Sequence, residues 1–163
     1  MKYNQIDTIV SLDPGRSIVA RRTLRPDEEY LADHFPRFPV MPGVMMLEAL
    51  HQAAVWMIHA GDNFASPLVR LCEVRGVKFG AFLAPDQTLE ITASVTKSDG
   101  PRTTVKASAT RDGKTAVAAR MILESTGTGE IPDHGTDDLL RRQTRAQFER
   151  LFKRKTEPVA PST

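Results

Sequence analysis

His34-Phe35-Pro36-Arg37-Phe38-Pro39-Val40-Met41-Pro42-Gly43-Val44-Met45-Met46-Leu47-Glu48-Ala49-Leu50-His51-Gln52 is the stretch on which the reading of this chain turns. Three prolines between His34 and Gly43 fix φ three times and push each preceding residue toward extended conformations, so His34 is expected on a stiff, non-helical ramp. Pro42 marks a helix start, because the first-turn amides have no intrahelical acceptor and a missing N–H costs nothing there. From Gly43 to Gly61 no residue breaks the helix. It carries Val44, Met45, Met46, Leu47, Leu50, Val55, Trp56, Met57 and Ile58, apolar nearly all round, which predicts a helix buried on every side.

Upstream, 6–12 and 17–24 flank Asp13-Pro14-Gly15-Arg16, a turn sequence that predicts a hairpin. Residues 26–32 read as a short helical turn or an irregular loop. Downstream, β-like segments are expected over 68–83, 88–98, 102–111 and 114–124, separated by Ala84-Pro85-Asp86, Asp99-Gly100-Pro101 and Asp112-Gly113. Leu89, Ile91, Ala93 and Val95 alternate with Glu90, Thr92, Ser94 and Thr96, a period of two that buries one face and solvates the other. The expected fold is α+β, an antiparallel sheet of about six strands around one helix that supplies the other half of the core.

The chain of 163 residues suits one domain with a proper core. With 22 basic against 20 acidic residues it lacks the excess positive charge of a nucleic-acid binder. A single cysteine, Cys72, excludes an internal disulfide and a thiol metal cluster and fits a reducing cytoplasm; it reads as a core filler. The first residues lack the apolar run of a signal peptide, and no stretch is long enough to span a bilayer, so a soluble cytoplasmic protein is expected. The main domain is read as 1–125, a linker as 126–135, and 136–163 as an amphipathic helix with a disordered end. That helix has Leu140, Phe148, Leu151 and Phe152 on one side and seven Lys/Arg between Arg141 and Lys155 on the other. The basic side reads as a solvated face, or else as a contact for an acidic protein or a membrane surface.

Physics alone singles out His34 and Glu48. An imidazole on a rigid loop can take a proton, and a carboxyl inside an apolar helix is expected to have a raised pKa and so to donate one. Gly43 adds a third element: the first amides of a helix point outward and can hold a developing oxyanion, and a residue without Cβ lets a ligand carbonyl approach. A structural histidine and a paired, non-catalytic glutamate are the competing reading. His59 and His134 read as solvated.

His-Phe-Pro-x-x-Pro-Val-Met-Pro-Gly-Val followed by Glu-Ala-Leu-x-Gln resembles the signature of the β-hydroxyacyl-acyl carrier protein dehydratases of the hot-dog fold, the FabZ and FabA type. The match is dense over 30–54, and Phe79, Pro85 and Leu89 extend it more coarsely to about 124. The resemblance implies homodimers, possibly assembled further, with two sites at the interface, each taking the histidine from one chain and the carboxylate from the other. It makes His34 the base that removes the α-proton of a thioester and Glu48 of the partner subunit the acid that protonates the β-hydroxyl. Gly43 and Val44 would bind the thioester oxygen and Gln52 would orient Glu48. Phe35, Met45 and Phe82 are candidates for an acyl tunnel, or plain core. No metal and no redox cofactor is implied; the substrate rides on a phosphopantetheine thioester of acyl carrier protein or coenzyme A.

Four positions depart from the family pattern. Asp33 replaces the usual Gly and is expected to face solvent. Arg37 and Phe38 replace Gly-Arg and add bulk at the expected entry. His51 replaces a small residue three positions after Glu48; it faces the dimer seam or the sheet, or else, if charged, lowers the Glu48 pKa. A hot-dog acyl thioesterase and a non-catalytic subunit that binds acyl carrier protein are the alternatives.

Overall fold

The computed structural model describes residues 3–126 and 134–153. In chain order it contains β1 (Thr8–Asp13), β2 (Ser17–Thr23), a 3-10 turn (Glu29–Ala32), α1 (Gly43–Gly61), β3 (Leu68–Phe79), β4 (Thr88–Asp99), β5 (Arg102–Arg111), β6 (Lys114–Thr126) and α2 (His134–Lys153). The six strands form one antiparallel sheet in the order β1-β2-β4-β5-β6-β3. The sheet curls around α1, which packs on β2 through β6.

The two periodicities of the sequence produce this wrap directly. Leu89, Ile91 and Ala93 on β4 and Val105, Ala107 and Ala109 on β5 turn inward, while Glu90, Thr92 and Lys106 turn out. They join Leu50, Ala53, Ala54 and Met57 of α1 in one core cluster. The small side chains at 53, 54, 93, 107 and 109 let the helix lie close on the sheet. At the far end of α1 the contact is backbone on backbone. Gly15 (φ +71°), in the β1–β2 turn, donates its N–H to Met57 O at 3.1 Å, and a Cβ at Gly61 would lie 2.5 Å from Gly15 Cα. Two glycines therefore tie the hairpin to the helix end.

Three features of the fold differ from expectation. β3 ends at Phe79, not at 83. Gly80 and Ala81 still donate to Ala116 O and Thr115 O, but Leu83 turns away into the core, where its carbonyl accepts from Met41 N at 2.9 Å and anchors the ramp. Cys72 is exposed: it falls at the irregularity between Leu71 and Glu73, where β3 slips register against β6. And α1 is not covered on every side. Val44 is 69% exposed and Leu47 and Val55 are half-buried, because a sheet can wrap only one side of a helix.

β6 extends to Thr126 and α2 begins at His134, so the linker expected over 126–135 lies mostly outside the described residues, as does the end of the tail after 153. α2 docks back on the domain. Phe148 meets Trp56 at 5.9 Å and Phe64 at 5.1 Å between ring centroids, and Leu151 is buried. Part of the basic face does the docking. Arg141 Nε donates to Ala65 O at 2.9 Å, and Arg145 donates to Asn63 O at 3.0 Å while its guanidinium lies over the Phe64 ring. These arginines bond the carbonyl-rich turn after α1 while keeping solvent exposure, a favourable place for cations.

Candidate active site

The ramp is held at both ends by main-chain bonds. His34 N donates to Tyr30 O at 3.0 Å, Val40 N returns to His34 O at 3.1 Å, and Phe35 and Phe38 exchange two hydrogen bonds at 3.2 and 3.0 Å. The imidazole stacks on Phe35 at 4.3 Å. Its Nδ1 lies 3.1 Å from Val40 O. A carbonyl can only accept, so this contact assigns the proton to Nδ1 and leaves the Nε2 lone pair as the one that can take a proton. The family-divergent Asp33 is exposed at the end of the 3-10 turn, as expected, with its N–H on Tyr30 O.

Val40 and Met41 then enter the core and deliver Pro42 as the N-cap of α1. No side chain caps this end, so the amides of Gly43 and Val44 stand at the positive pole of the helix. The ring of Phe79 crosses in front of Gly43: an added Cβ would meet its Cε1 at 2.9 Å. Glycine is what allows that approach.

Glu48 lies five residues further on, about one and a half turns, half-buried, with both carboxylate oxygens engaged. Gln52 Nε2 donates to Oε1 at 2.9 Å, and His51 Nδ1 lies 3.1 Å from Oε2. The Gln52 amide is oriented in turn from the N-terminal segment: its Oε1 accepts from Gln5 N at 2.8 Å, and its Nε2 also donates to Tyr3 O at 3.0 Å. The hydrogen bond from His51 is the largest influence on Glu48 and holds its carboxyl below the usual range, burial opposes it, and the Gln52 bond adds to the lowering. The expectation of a raised pKa is therefore reversed. An apolar helix would have raised it, but two polar atoms of the same helix face, His51 Nδ1 and Gln52 Nε2, reach the carboxylate.

The line of support continues inward. Gln5 Oε1 accepts from Arg22 Nε at 3.1 Å; Arg22, 2% exposed, also donates to Thr23 O at 2.8 Å and pairs with Glu28. Sequence reasoning passed over Gln5, Arg22 and Glu28. A signal existed: Ile18, Ala20 and Arg22 share the inward parity of β2, which places an arginine where the core begins.

The remaining expected residues are scattered around this centre. Phe35 is 51% and Phe82 61% exposed; Phe82 packs edge-on to Phe38 at 5.7 Å, and the two rings flank an open cavity that also touches Val40 and Gln87. Phe38 thus adds bulk at a rim. Met45 is half-buried at the edge of the core. His59, expected in solvent, is 5% exposed, stacked on Phe64, and burial keeps its imidazole below the usual range. The side chain of His134 lies outside the described residues.

A six-stranded antiparallel sheet wrapped on a central helix, with a proline-stiffened histidine ramp leading into the glycine at the helix start, defines a hot-dog protein. The chain belongs to the FabA-like family, whose domain model matches residues 1–120. It is similar to the FabZ 3-hydroxyacyl-acyl-carrier-protein dehydratase of Clostridium botulinum, 32% identical over 117 residues that cover 72% of this chain and 81% of that protein. The FabZ dehydratase of Pediococcus pentosaceus is 37% identical over 92 residues, 56% of this chain and 62% of that protein. Among solved structures, the dehydratase heterocomplex ApeI:P of Xenorhabdus doucetiae shares the fold with a TM-score of 0.66 at 15% identity, over 79% of this chain and 87% of that one. α2 lies beyond the residues that the family model matches.

Proposed function

We propose that this protein is a (3R)-hydroxyacyl-acyl-carrier-protein dehydratase, a hydro-lyase that interconverts the 3-hydroxyacyl thioester with the trans-2-enoyl thioester and water. The observation that carries it is the pairing of a ramp histidine presenting Nε2 with a glycine amide at the start of α1 and a hydrogen-bonded carboxylate on the same helix. In dehydration, His34 Nε2 takes the α-proton and the C–H electrons move onto the thioester oxygen, which the Gly43 N–H receives, with Val44 beside it. The enolate then re-forms the carbonyl, the C2–C3 double bond closes, and the β-hydroxyl leaves as water with the proton of Glu48 in its protonated form. Because the lowered pKa makes that form the minor one at neutral pH, dehydration draws on the fraction of sites that carry the proton, and His34 and Glu48 recover their starting states by proton exchange with solvent before the next turnover. Hydration reverses each transfer. The acyl group is bound to the phosphopantetheine of acyl carrier protein or coenzyme A, and the chain's own residues account for both proton transfers without a metal or redox cofactor. The one cysteine and a soluble thioester substrate fit the cytoplasm.

The test is hydration of a crotonyl thioester, followed as loss of enoyl absorbance; a folded protein that leaves the absorbance unchanged overturns the reading. A second reading has one specific observation in its favour: a carboxylate held ionised could also activate water for thioester hydrolysis. Release of free thiol from acyl-CoA, without loss of enoyl absorbance, would identify a thioesterase instead.

The His51 contact sets a pH prediction. In hydration Glu48 must be ionised to take a proton from water, so the acidic limb of kcat/KM falls as pH drops through its pKa. Removing the largest lowering influence raises that pKa while burial still opposes ionisation. His51→Ala is therefore expected to move the acidic limb to higher pH, measured by the pH profile of crotonyl hydration; a profile that stays in place would show that His51 does not tune Glu48.

The active form is proposed to be a homodimer, in which the histidine of one chain works with the carboxylate of the other. Support comes from β3, an edge strand with one side unpaired among the described residues, on which Val77 is 37% and Phe79 55% exposed, with Phe79 lying against Gly43 next to the uncovered Val44 at the start of α1. Free edges with apolar side chains are ordinarily covered. A charge in the seam tests this: Val77→Glu is expected to convert a dimer into monomers in light scattering and to abolish hydration with it.

A further inference from the structure

Glu48 has a second surrounding besides its hydrogen bonds to His51 and Gln52. It also lines a cavity of about 310 Å³ beside Val55 and Trp56 of α1, to which α2 contributes Leu140, Thr144 and Gln147. Resting on the dehydratase reading, we infer that α2 is a specificity element: it is the end wall of the cavity that receives the acyl chain, and it limits the length of chain the site accepts.

Four observations support the assignment. A carboxylate of the proposed chemistry lines the cavity, so a thioester reacting at Glu48 has its acyl group beside it. Its lining is predominantly apolar, with Val55, Trp56 and Leu140 offering an alkyl chain favourable burial. The buried His59 on the same wall has its imidazole pushed below the usual range by burial, which favours the neutral form, so charge in the lining is confined to the Glu48–His51 contact already described. And α2 is positioned by specific bonds rather than loosely apposed: Arg141 on Ala65 O, Arg145 on Asn63, and Phe148 between Trp56 and Phe64 fix the face that carries 140, 144 and 147. The volume of about 310 Å³ lies near the lower end of the roughly 300–1,000 Å³ typical of small-ligand sites, so bulk added on the α2 side is a large share of the space. Since α2 is outside the family-matched residues, the limit would be this chain's own addition to a shared site.

Two substitutions in the full chain move the wall in opposite directions. Thr144→Phe fills the cavity, and Gln147→Ala enlarges it. With thermal melting confirming that both variants fold, kcat/KM is measured for hydration of crotonyl and trans-2-dodecenoyl thioesters. Thr144→Phe is expected to lower the dodecenoyl value by about tenfold or more and leave the crotonyl value within about twofold, on the scale of hydrophobic-pocket discrimination. Gln147→Ala is expected to raise the dodecenoyl-to-crotonyl ratio. Equal changes on both substrates, or none, would overturn the inference.

A readout independent of turnover separates this from the function itself. Trp56 is the one tryptophan of the chain and lines the cavity, so its fluorescence reports occupancy. S-decyl-CoA, a thioether that can be neither hydrated nor hydrolysed, is expected to shift the emission of the wild type and not of Thr144→Phe. That result with no hydration of any enoyl thioester would remove the dehydratase and keep the acyl wall. An emission that fails to respond in the wild type, or responds equally in Thr144→Phe, would remove the wall whatever the activity.

Discussion

His34→Ala is expected to lower kcat/KM for crotonyl hydration by about a thousandfold with little change in thermal stability, the scale of a lost general acid or base. The imidazole is only half-buried and contacts Val40 O and the Phe35 ring, so its removal leaves no buried charge and only one carbonyl facing the gap. The ramp does not need it: main-chain bonds at Tyr30, Val40 and within 35–38 hold the loop. An activity loss accompanied by unfolding would point to a structural histidine. His34→Asn sharpens the test, since an amide can donate to Val40 O in place of Nδ1 while offering no basic nitrogen. If His34→Asn retained most of the activity, the base would have to be sought elsewhere. Glu48→Gln is the matching variant on the other side of the reaction. It keeps the contact with Gln52 but can neither give nor take the hydroxyl proton.

Arg22→Met carries the largest expected effect on stability, a loss of about 3–5 kcal/mol, because it strands Glu28 as a buried carboxylate without its partner. For a chain of this size that corresponds to a fall in Tm of about 10 °C or more. The cost lies in the orphaned charge, not in the absence of a salt bridge. The double variant Arg22→Met with Glu28→Gln, which removes both charges, is therefore expected to recover a large part of the loss. If single and double variants melt together, the pair is not an electrostatic unit. Activity offers a second readout. Arg22 holds Gln5, the Gln5 amide holds Gln52 Oε1, and Gln52 Nε2 holds Glu48, so a variant that still folds at low temperature should bind crotonyl thioester with a poorly oriented carboxylate and a reduced kcat.

The same two residues show where sequence legibility ends. His34 and Glu48 stand fourteen positions apart in one uninterrupted motif, and both their elements could be read: proline geometry makes the ramp, and α1 runs between the residues that allow and end it, Gly43 and Gly61. The inward faces of β4 and β5 followed from alternation alone. Strand ends were less accessible. β3 stops at Phe79 because Leu83 is claimed by the ramp through Met41, a partner forty-two residues away that no local pattern reveals. The shift of the Glu48 carboxyl runs against its helix context for a related reason. An apolar helix forecasts desolvation, whereas the outcome depends on whether His51 and Gln52, three and four residues on, turn their polar atoms to the carboxylate.

What the sequence determined by itself is the local chemistry: the stiff ramp, the helix start at glycine, the period-two strands and the two ionisable residues that flank them. Backbone restriction and side-chain periodicity act over a few residues, so they are legible in a single line of text. Only the tertiary structure decided that the Glu48 carboxyl is held below rather than above its usual range, that Arg22 supports it through Gln5 and Gln52, and that α2 turns its arginines to the end of α1 and lines a cavity beside the carboxylate. Those outcomes depend on which groups meet across long separations in sequence, where burial and hydrogen bonding compete for the same atoms and only the assembled geometry settles the competition.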